Sequence, residues 1–150
     1  MMDPFTADDL NILTNCKFFS FDGQTHFARV VKCYDGDTIH CVFKYADQYY
    51  KFRIRLNGYD SSELKPSKSL GETKCNEIKT NATNAKKRLE ELILNRNVWL
   101  QCGPFDKYGR ILGTIKMNLN DVESINDLMI REGHGYVYNG GTKKVAYSGE

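Results

Sequence analysis

Tyr49-Tyr50-Lys51-Phe52-Arg53-Ile54-Arg55-Leu56 alternates apolar and charged side chains and stops at Asn57-Gly58. Successive side chains of a strand point to opposite faces, so Phe52, Ile54 and Leu56 share a face that can be buried while Lys51, Arg53 and Arg55 share the other. The same period of two extends upstream. Phe27, Val31 and Cys33 are set against Arg29 and Lys32, Asp35-Gly36 marks a hairpin turn, and Ile39, Cys41 and Phe43 alternate with Thr38 and His40. Three consecutive strands are therefore expected from Phe27 onward.

Downstream, residues 61–80 are polar, with Pro66 and Gly71 as breakers, and are expected to be mobile with at most a short helical turn around Cys75 to Lys79. Ala82, Ala85, Leu89, Leu92 and Ile93 then recur at helical spacing, with Asn81 as the cap and Lys86, Lys87, Glu90 and Glu91 facing water. Val98–Cys102 and Ile111–Met117 read as two more strands, joined by the loop from Gly103 to Arg110. A compact helix is predicted over Ile125–Glu132, with Ser124 and Asp127 as a capping pair and Gly133 as its stop. The order β-β-β-α-β-β-α predicts an α+β, mainly β fold: a five-stranded OB-type barrel with two to three packed helices. Residues 27–138 form that domain, 1–26 are an N-terminal extension with a short helix capped by Thr6, and 139–150 are a flexible C-terminal tail.

Composition bounds the function classes. In 150 residues, 41% hydrophobic and 27% charged, there is one globular domain. Twenty-one basic residues against 19 acids leave a formal charge of +2, which does not name a partner. No stretch approaches the roughly 18 apolar residues of a membrane span. Asp3, Asp8 and Asp9 stand where a signal peptide would be basic, so the chain reads as intracellular. Five cysteines without a Cys-x-x-Cys pair and three scattered histidines point to buried reduced thiols, with no disulfide framework or zinc site.

Small barrels of this kind usually bind oligonucleotides or oligosaccharides, but function has to be argued from a site. Acids and arginines fall beside the turns: Asp37 after the Asp-Gly turn, Arg55 on the polar face of the third strand, Asp60 and Glu63 after Asn57-Gly58, and Arg110 at the end of the Gly-Arg loop. Such a set suits a phosphodiester. Hard carboxylate oxygens bind a hard cation, arginine forks hold phosphate oxygens, and a carboxylate free of the metal can position water. Singly, each has a duller explanation as a turn former, a solvated strand face or a helix-entry signal.

Four stretches carry a resemblance in order: Val31-Lys32-Cys33-Tyr34-Asp35-Gly36-Asp37-Thr38, Arg55-Leu56-Asn57-Gly58-Tyr59-Asp60-Ser61-Ser62-Glu63, Asp106-Lys107-Tyr108-Gly109-Arg110 and Ile125-Asn126-Asp127-Leu128-Met129-Ile130-Arg131-Glu132-Gly133. Together they resemble the staphylococcal-nuclease (thermonuclease) family over about Ala28 to Tyr138. The resemblance implies an OB barrel and a calcium-dependent nuclease acting on DNA and RNA, preferring flexible or single-stranded substrate and leaving 3′-phosphate and 5′-hydroxyl ends. It implies Asp37 and Asp60 as Ca²⁺ carboxylates with the Ser61 carbonyl as a further ligand, Glu63 as general base or water-positioning group, and Arg55 and Arg110 as phosphate arginines. Family spacing selects Arg55 over Arg53. Lys107 and Tyr108 resemble residues that grip a terminal phosphate and base, and Tyr136 and Tyr138 resemble stacking tyrosines, whose alternative is barrel-edge packing. Ser62 stands where the family commonly has proline, and the insertion over 64–80 differs in length. A monomer is expected. The alternative reading is a non-catalytic OB module that binds nucleic acid or protein, for which Asp37, Asp60 and Glu63 beside a phosphate would be of little use.

Overall fold

The computed structural model describes residues 3–62 and 67–137. Along the chain run α1 (Ala7–Thr14), β1 (Thr25–Cys33), β2 (Thr38–Tyr45), β3 (Gln48–Leu56), the two-residue β4 (Tyr59–Asp60), a 3-10 turn (Lys68–Leu70), α2 (Glu72–Ile93), β5 (Asn97–Phe105), β6 (Ile111–Lys116), α3 (Ile125–Arg131) and β7 (Tyr136–Val137). Five strands close a barrel in the order β1-β2-β3-β6-β5, with β5 returning to β1. Only the β3–β6 pair of the barrel is parallel, and it seats Arg55 opposite Leu112. The architecture is the mainly-β OB-type barrel expected from the alternating strands. Among the described residues no helix is long and apolar enough to cross a membrane.

Alternation places the core as expected on β2 and β3: Ile39, Cys41, Phe43, Ile54 and Leu56 are buried, and Phe52 packs against them. On β1 the expected face is wrong. Ala28 and Val30 point inward while Phe27 and Val31 are exposed, and a bulge between Val30 and Lys32 then returns Cys33 to the core. Phe27 instead packs outside against Trp99 with ring centroids 4.8 Å apart, and the bulge lets the strand change face without breaking its pairing. Phe21, ahead of the first strand, is buried and meets Phe43 and Phe52 edge-on.

The central helix is capped ten residues earlier than predicted. α2 runs from Glu72, its N-cap is Gly71, and Asn81 lies in its interior. The physical reason is visible in its buried stripe, where Ile78 extends Ala82, Ala85, Leu89 and Ile93 by one further turn and no glycine or proline intervenes. The cysteine expectation is also corrected in part. Cys33, Cys41 and Cys102 are buried, and burial pushes their thiols up to about 12, 12 and 11, whereas Cys16 is exposed and Cys75 half-buried. The two other helices follow their sequence signals. Thr6 and Asp9 form a reciprocal capping box on α1. The Gly133 and His134 amides close α3 on the carbonyls of Ile130 and Met129. Glu63, Tyr138 and the tail over 139–150 lie outside the described residues.

Candidate active site

The site grows from two short loops held against each other. The hairpin loop between β1 and β2 contains Asp35-Gly36-Asp37, and the Asn57-Gly58 turn leads from β3 into β4 with Asp60 and Ser61. Gly58 adopts φ +93°, the left-handed conformation glycine tolerates. Gly36 is there for another reason: a Cβ on it would come within 2.7 Å of the Ala85 Cβ and 2.8 Å of the Ser61 Cβ. Its missing side chain lets the hairpin loop lie flat on α2 and on the Asp60–Ser61 segment. The buried Tyr59 hydroxyl locks the approach by donating to the Gly36 carbonyl at 2.7 Å.

Arg55 is the hub. Its Nη1 donates to the carbonyls of Leu56 and Tyr59, both at 2.8 Å, and so closes the turn between them. Its Nη2 contacts Asp60 Oδ1 and lies 3.7 Å from Asp37 Oδ2. The Arg55 side chain is only 11% exposed, so these pairs are formed in a poorly solvated setting. Asp37 is further fixed on both oxygens. The Ser61 N–H and Oγ–H donate to Oδ2 at 2.9 and 3.0 Å, and the Thr38 hydroxyl donates to Oδ1 at 3.0 Å. Burial acts to raise the Asp37 carboxyl, but the Arg55 charge, Asp35 and the Ser61 donors outweigh it and hold it below the usual range. Asp35 goes the other way, up to about 7, through burial and then the adjacent Asp37 charge.

Arg110 reaches the same centre from the β5–β6 loop. Asp106 holds it: the Arg110 Nε donates to Asp106 Oδ2 at 2.7 Å, and the amides of Tyr108 and Arg110 both donate to Asp106 Oδ1 at 2.9 Å. Gly109 turns the loop with φ +82°. The far end of Arg110 extends to the Thr38 Oγ1 at 3.4 Å, so a single hydroxyl bridges Arg110 and Asp37. Tyr108, exposed, carries the Lys107 ammonium 5.1 Å and the Arg110 guanidinium 5.4 Å from its ring centroid. A cleft of about 600 Å³ is lined by Arg55, Leu56, Tyr59, Lys107, Tyr108, Arg110 and Leu112, among others. Arg55 thus joins two environments, since it lines the cleft and touches both aspartates.

Of the residues expected from sequence, Asp37, Arg55, Asp60 and Ser61 meet in one hydrogen-bonded cluster, and Arg110, Lys107 and Tyr108 share the adjoining cleft. Tyr136 is buried and its backbone pairs with Asp60 across the β4–β7 bridge. Sequence reasoning missed the supporting residues. Thr38, Tyr59 and Asp106 position the charged groups, and Ser61 acts on Asp37 through its own N–H and hydroxyl. Only Asp106 left a usable signal, four residues ahead of an arginine across a glycine turn.

A family model described as staphylococcal nuclease homologue matches residues 53–148, well over half of the chain. The chain belongs to this family. No curated protein matches it. The matched span opens in β3, so the nuclease-homologue match takes in Arg55, Asp60 and the Asp106–Arg110 loop. Asp37 lies ahead of the span, and its place rests on the contacts just described.

The calcium implied by the nuclease-homologue family can be tested against these donors. Asp37 and Asp60 present carboxylate oxygens to one guanidinium atom, with the Ser61 backbone beside them and no imidazole or thiolate among these groups. Oxygen-only donors suit a hard cation. Among the described residues no three His, Cys, Asp or Glu side chains enclose a metal. In donor chemistry alone the two carboxylates suit calcium.

Proposed function

We propose that this chain is a calcium-dependent nuclease that hydrolyses phosphodiester bonds of DNA and RNA with little sequence specificity, leaving 3′-phosphate and 5′-hydroxyl ends. The observation that carries the reading is the double attachment of Arg55, to Asp37 and Asp60 on one side and to the cleft shared with Arg110 on the other. A pure binder has no use for two carboxylates drawn up against its phosphate arginine, because they repel the ligand.

Asp37, Asp60 and the Ser61 carbonyl would hold the cation, which when bound offsets phosphate charge and polarises the phosphorus centre. With the aspartate charge balanced in that way, the Arg55 guanidinium is left to grip a non-bridging phosphate oxygen. Arg110, oriented by Asp106, meets charge that develops on the phosphoryl oxygens or on the leaving 5′-oxygen, where an interaction stronger in the transition state than in the ground state raises turnover. Glu63 takes the role of positioning or deprotonating the attacking water. Lys107 and Tyr108 grip a neighbouring phosphate and base. We assign Tyr136, buried beside Asp60, to backing the metal loop, and Tyr138 to stacking. All these groups belong to one chain, so a monomer suffices.

Release of acid-soluble nucleotide from plasmid DNA and from RNA tests the reading. Calcium should support release and chelator abolish it, while magnesium, which demands tighter octahedral geometry, should support it poorly. Turnover in magnesium equal to that in calcium would remove the calcium assignment, and no release under any metal would leave the non-catalytic OB module.

A further inference from the structure

The overall charge of the chain conceals a strong segregation. β1, β2 and β3 together carry six of the 21 lysines and arginines and none of the 19 acids, so the rest of the chain is net acidic, 15 basic residues against 19. Strand pairing arranges these cations in rows across the outer face of the sheet. Next to the Thr38–Arg55 pair at the catalytic end comes the row Lys32–His40–Arg53, then Arg29–Val42–Lys51, then Lys44–Tyr49. Lys32, Arg29, Arg53, Lys51, Lys44 and Tyr49 are all exposed. Rows on one face of a strand recur every ~6.7 Å, so the series from Arg55 to Tyr49 extends ~20 Å.

Two further observations mark this face as more than a solvated surface. His40 sits among converging positive charge: partial burial and then Lys32, Arg53 and Lys51 hold its pKa below the ordinary histidine value. Exposed rings also stand beside the cations, Lys32 5.8 Å from the Tyr34 centroid and Lys44 6.0 Å from that of Tyr49. Cations in a line with exposed aromatic rings beside them are what a single strand requires, phosphates being neutralised by the former and unstacked bases resting on the latter. A duplex keeps its bases stacked and would use only the charges.

We propose that the outer face of β1–β2–β3 is a track for single-stranded nucleic acid that leads away from the catalytic centre, with Arg53 and Lys51 as its central phosphate contacts. The inference rests on the nuclease reading for its direction, because Arg55 is where the track and the site meet. It extends the substrate contact well past the cleft, and it makes long single strands better ligands than short ones.

The test is fluorescence anisotropy of labelled oligo(dT) on the full chain in chelator, so that no cleavage is required. Oligonucleotides of about 4 and about 16 nucleotides span the range of OB-fold site sizes. Wild type should bind the longer one at least about tenfold more tightly, and between about 50 and 200 mM salt its slope of log affinity should be the steeper. Lys51→Gln/Arg53→Gln should lose that length advantage, and its salt slope should fall by about 1.4, since each single-strand phosphate contact contributes about 0.7. The charge-preserving Lys51→Arg/Arg53→Lys should keep the slope, and Lys79→Gln/Lys87→Gln, two exposed lysines on α2, should leave it unchanged. Circular dichroism confirms that each variant is folded. Equal binding of the two lengths, an unaltered slope in Lys51→Gln/Arg53→Gln, or a duplex bound as tightly as the single strand would overturn the track. Cleavage assays are read separately: a bound strand that is never cut contradicts the nuclease reading and leaves the track standing, whereas cleavage without the length advantage does the reverse.

Discussion

Arg110 illustrates how a charged side chain becomes directional. Asp106 occupies its Nε and its backbone amide, which leaves the outer guanidinium nitrogens toward Thr38 and the cleft. A lysine there would keep the charge and lose the planar fork, so Arg110→Lys should lose about 2–4 kcal/mol of transition-state stabilisation. Single-turnover cleavage near the wild-type rate by a well-folded Arg110→Lys protein would show that this arginine has no part in the chemistry. Asp106 carries a pH signature as well. Burial acts to raise it, but the Arg110 and Tyr108 amides and the Arg110 side chain outweigh burial and hold it below 3.8. A depressed native pKa contributes stability in full above the unfolded value, and that contribution is lost as pH falls through the native one. Asp106→Asn should therefore be less stable than wild type at neutral pH, with the gap closing below about pH 4. Urea unfolding between neutral and acid pH reads this gap, and a gap independent of pH would contradict it. At this scale Asp37, Arg55, Asp60 and Arg110 were legible, because charged residues beside turns stand out in a sequence, whereas the supporting Asp106 was passed over. The sequence hid Thr38 and the Ser61 side chain, because small hydroxyls occur everywhere and only their contacts with Asp37 distinguish them.

Elements bring those residues together by close approach. Gly36 lies between α2 and the Asp60–Ser61 segment, and the atoms that a new Cβ would strike, the Cβ atoms of Ala85 and Ser61, cannot swing away. Gly36→Ala should destabilise the fold by roughly 1–3 kcal/mol, the range of overpacked cores, and should weaken activity by moving Asp37 off Ser61. The same substitution should cost less in an Ala85→Gly background, where one of the two clashes is gone. Chemical denaturation of the four proteins gives the coupling energy, and strict additivity would mean that helix and loop do not compete for that space. This contact was illegible beforehand: Asp-Gly reads as a hairpin turn, yet Gly36 shows no positive φ and serves packing instead. Periodicity found the apolar stripe of α2 but started it late, since polar residues over 72–80 masked the single apolar Ile78. On β1 alternation alone could not say which side faced inward, because both sides are apolar, Ala28 and Val30 on one and Phe27 and Val31 on the other, and the largest of them, Phe27, lies outside.

For the molecule as a whole, barrel closure decides where function can sit. The parallel β3–β6 pairing brings Arg55 beside the strand that follows Arg110, and the β4–β7 bridge ties the segment with Asp60 to the stretch after α3. Buried Asn126 strengthens that end. Its Oδ1 accepts the Ile115 amide at 3.0 Å, and its Nδ2 donates to Asn57 and Gly113 carbonyls at 2.8 and 3.0 Å, so α3 is pinned to the turn that leads into the Asp60–Ser61 segment. Asn126→Ala removes the side-chain partner of the Ile115 amide and the tie to the Asn57 carbonyl, while Gly113 keeps the Asn57 amide, and should cost on the order of 1–3 kcal/mol, which a urea midpoint shift at unchanged m would record. Fold class was legible because alternation marks β2 and β3 and apolar runs mark the later barrel strands, whereas the meeting of residues far apart in sequence, such as Asn57 and Asn126, depends on closure. The central claim is that this assembly cuts a phosphodiester with Glu63 assisting water. It is tested most directly by single-turnover cleavage of a labelled oligonucleotide in calcium, wild type beside Glu63→Gln, with oligonucleotide affinity measured in parallel. The account predicts unchanged affinity and a rate lower by roughly 10²–10⁴ for Glu63→Gln; a wild type that binds the strand and cleaves it no faster than Glu63→Gln would contradict it.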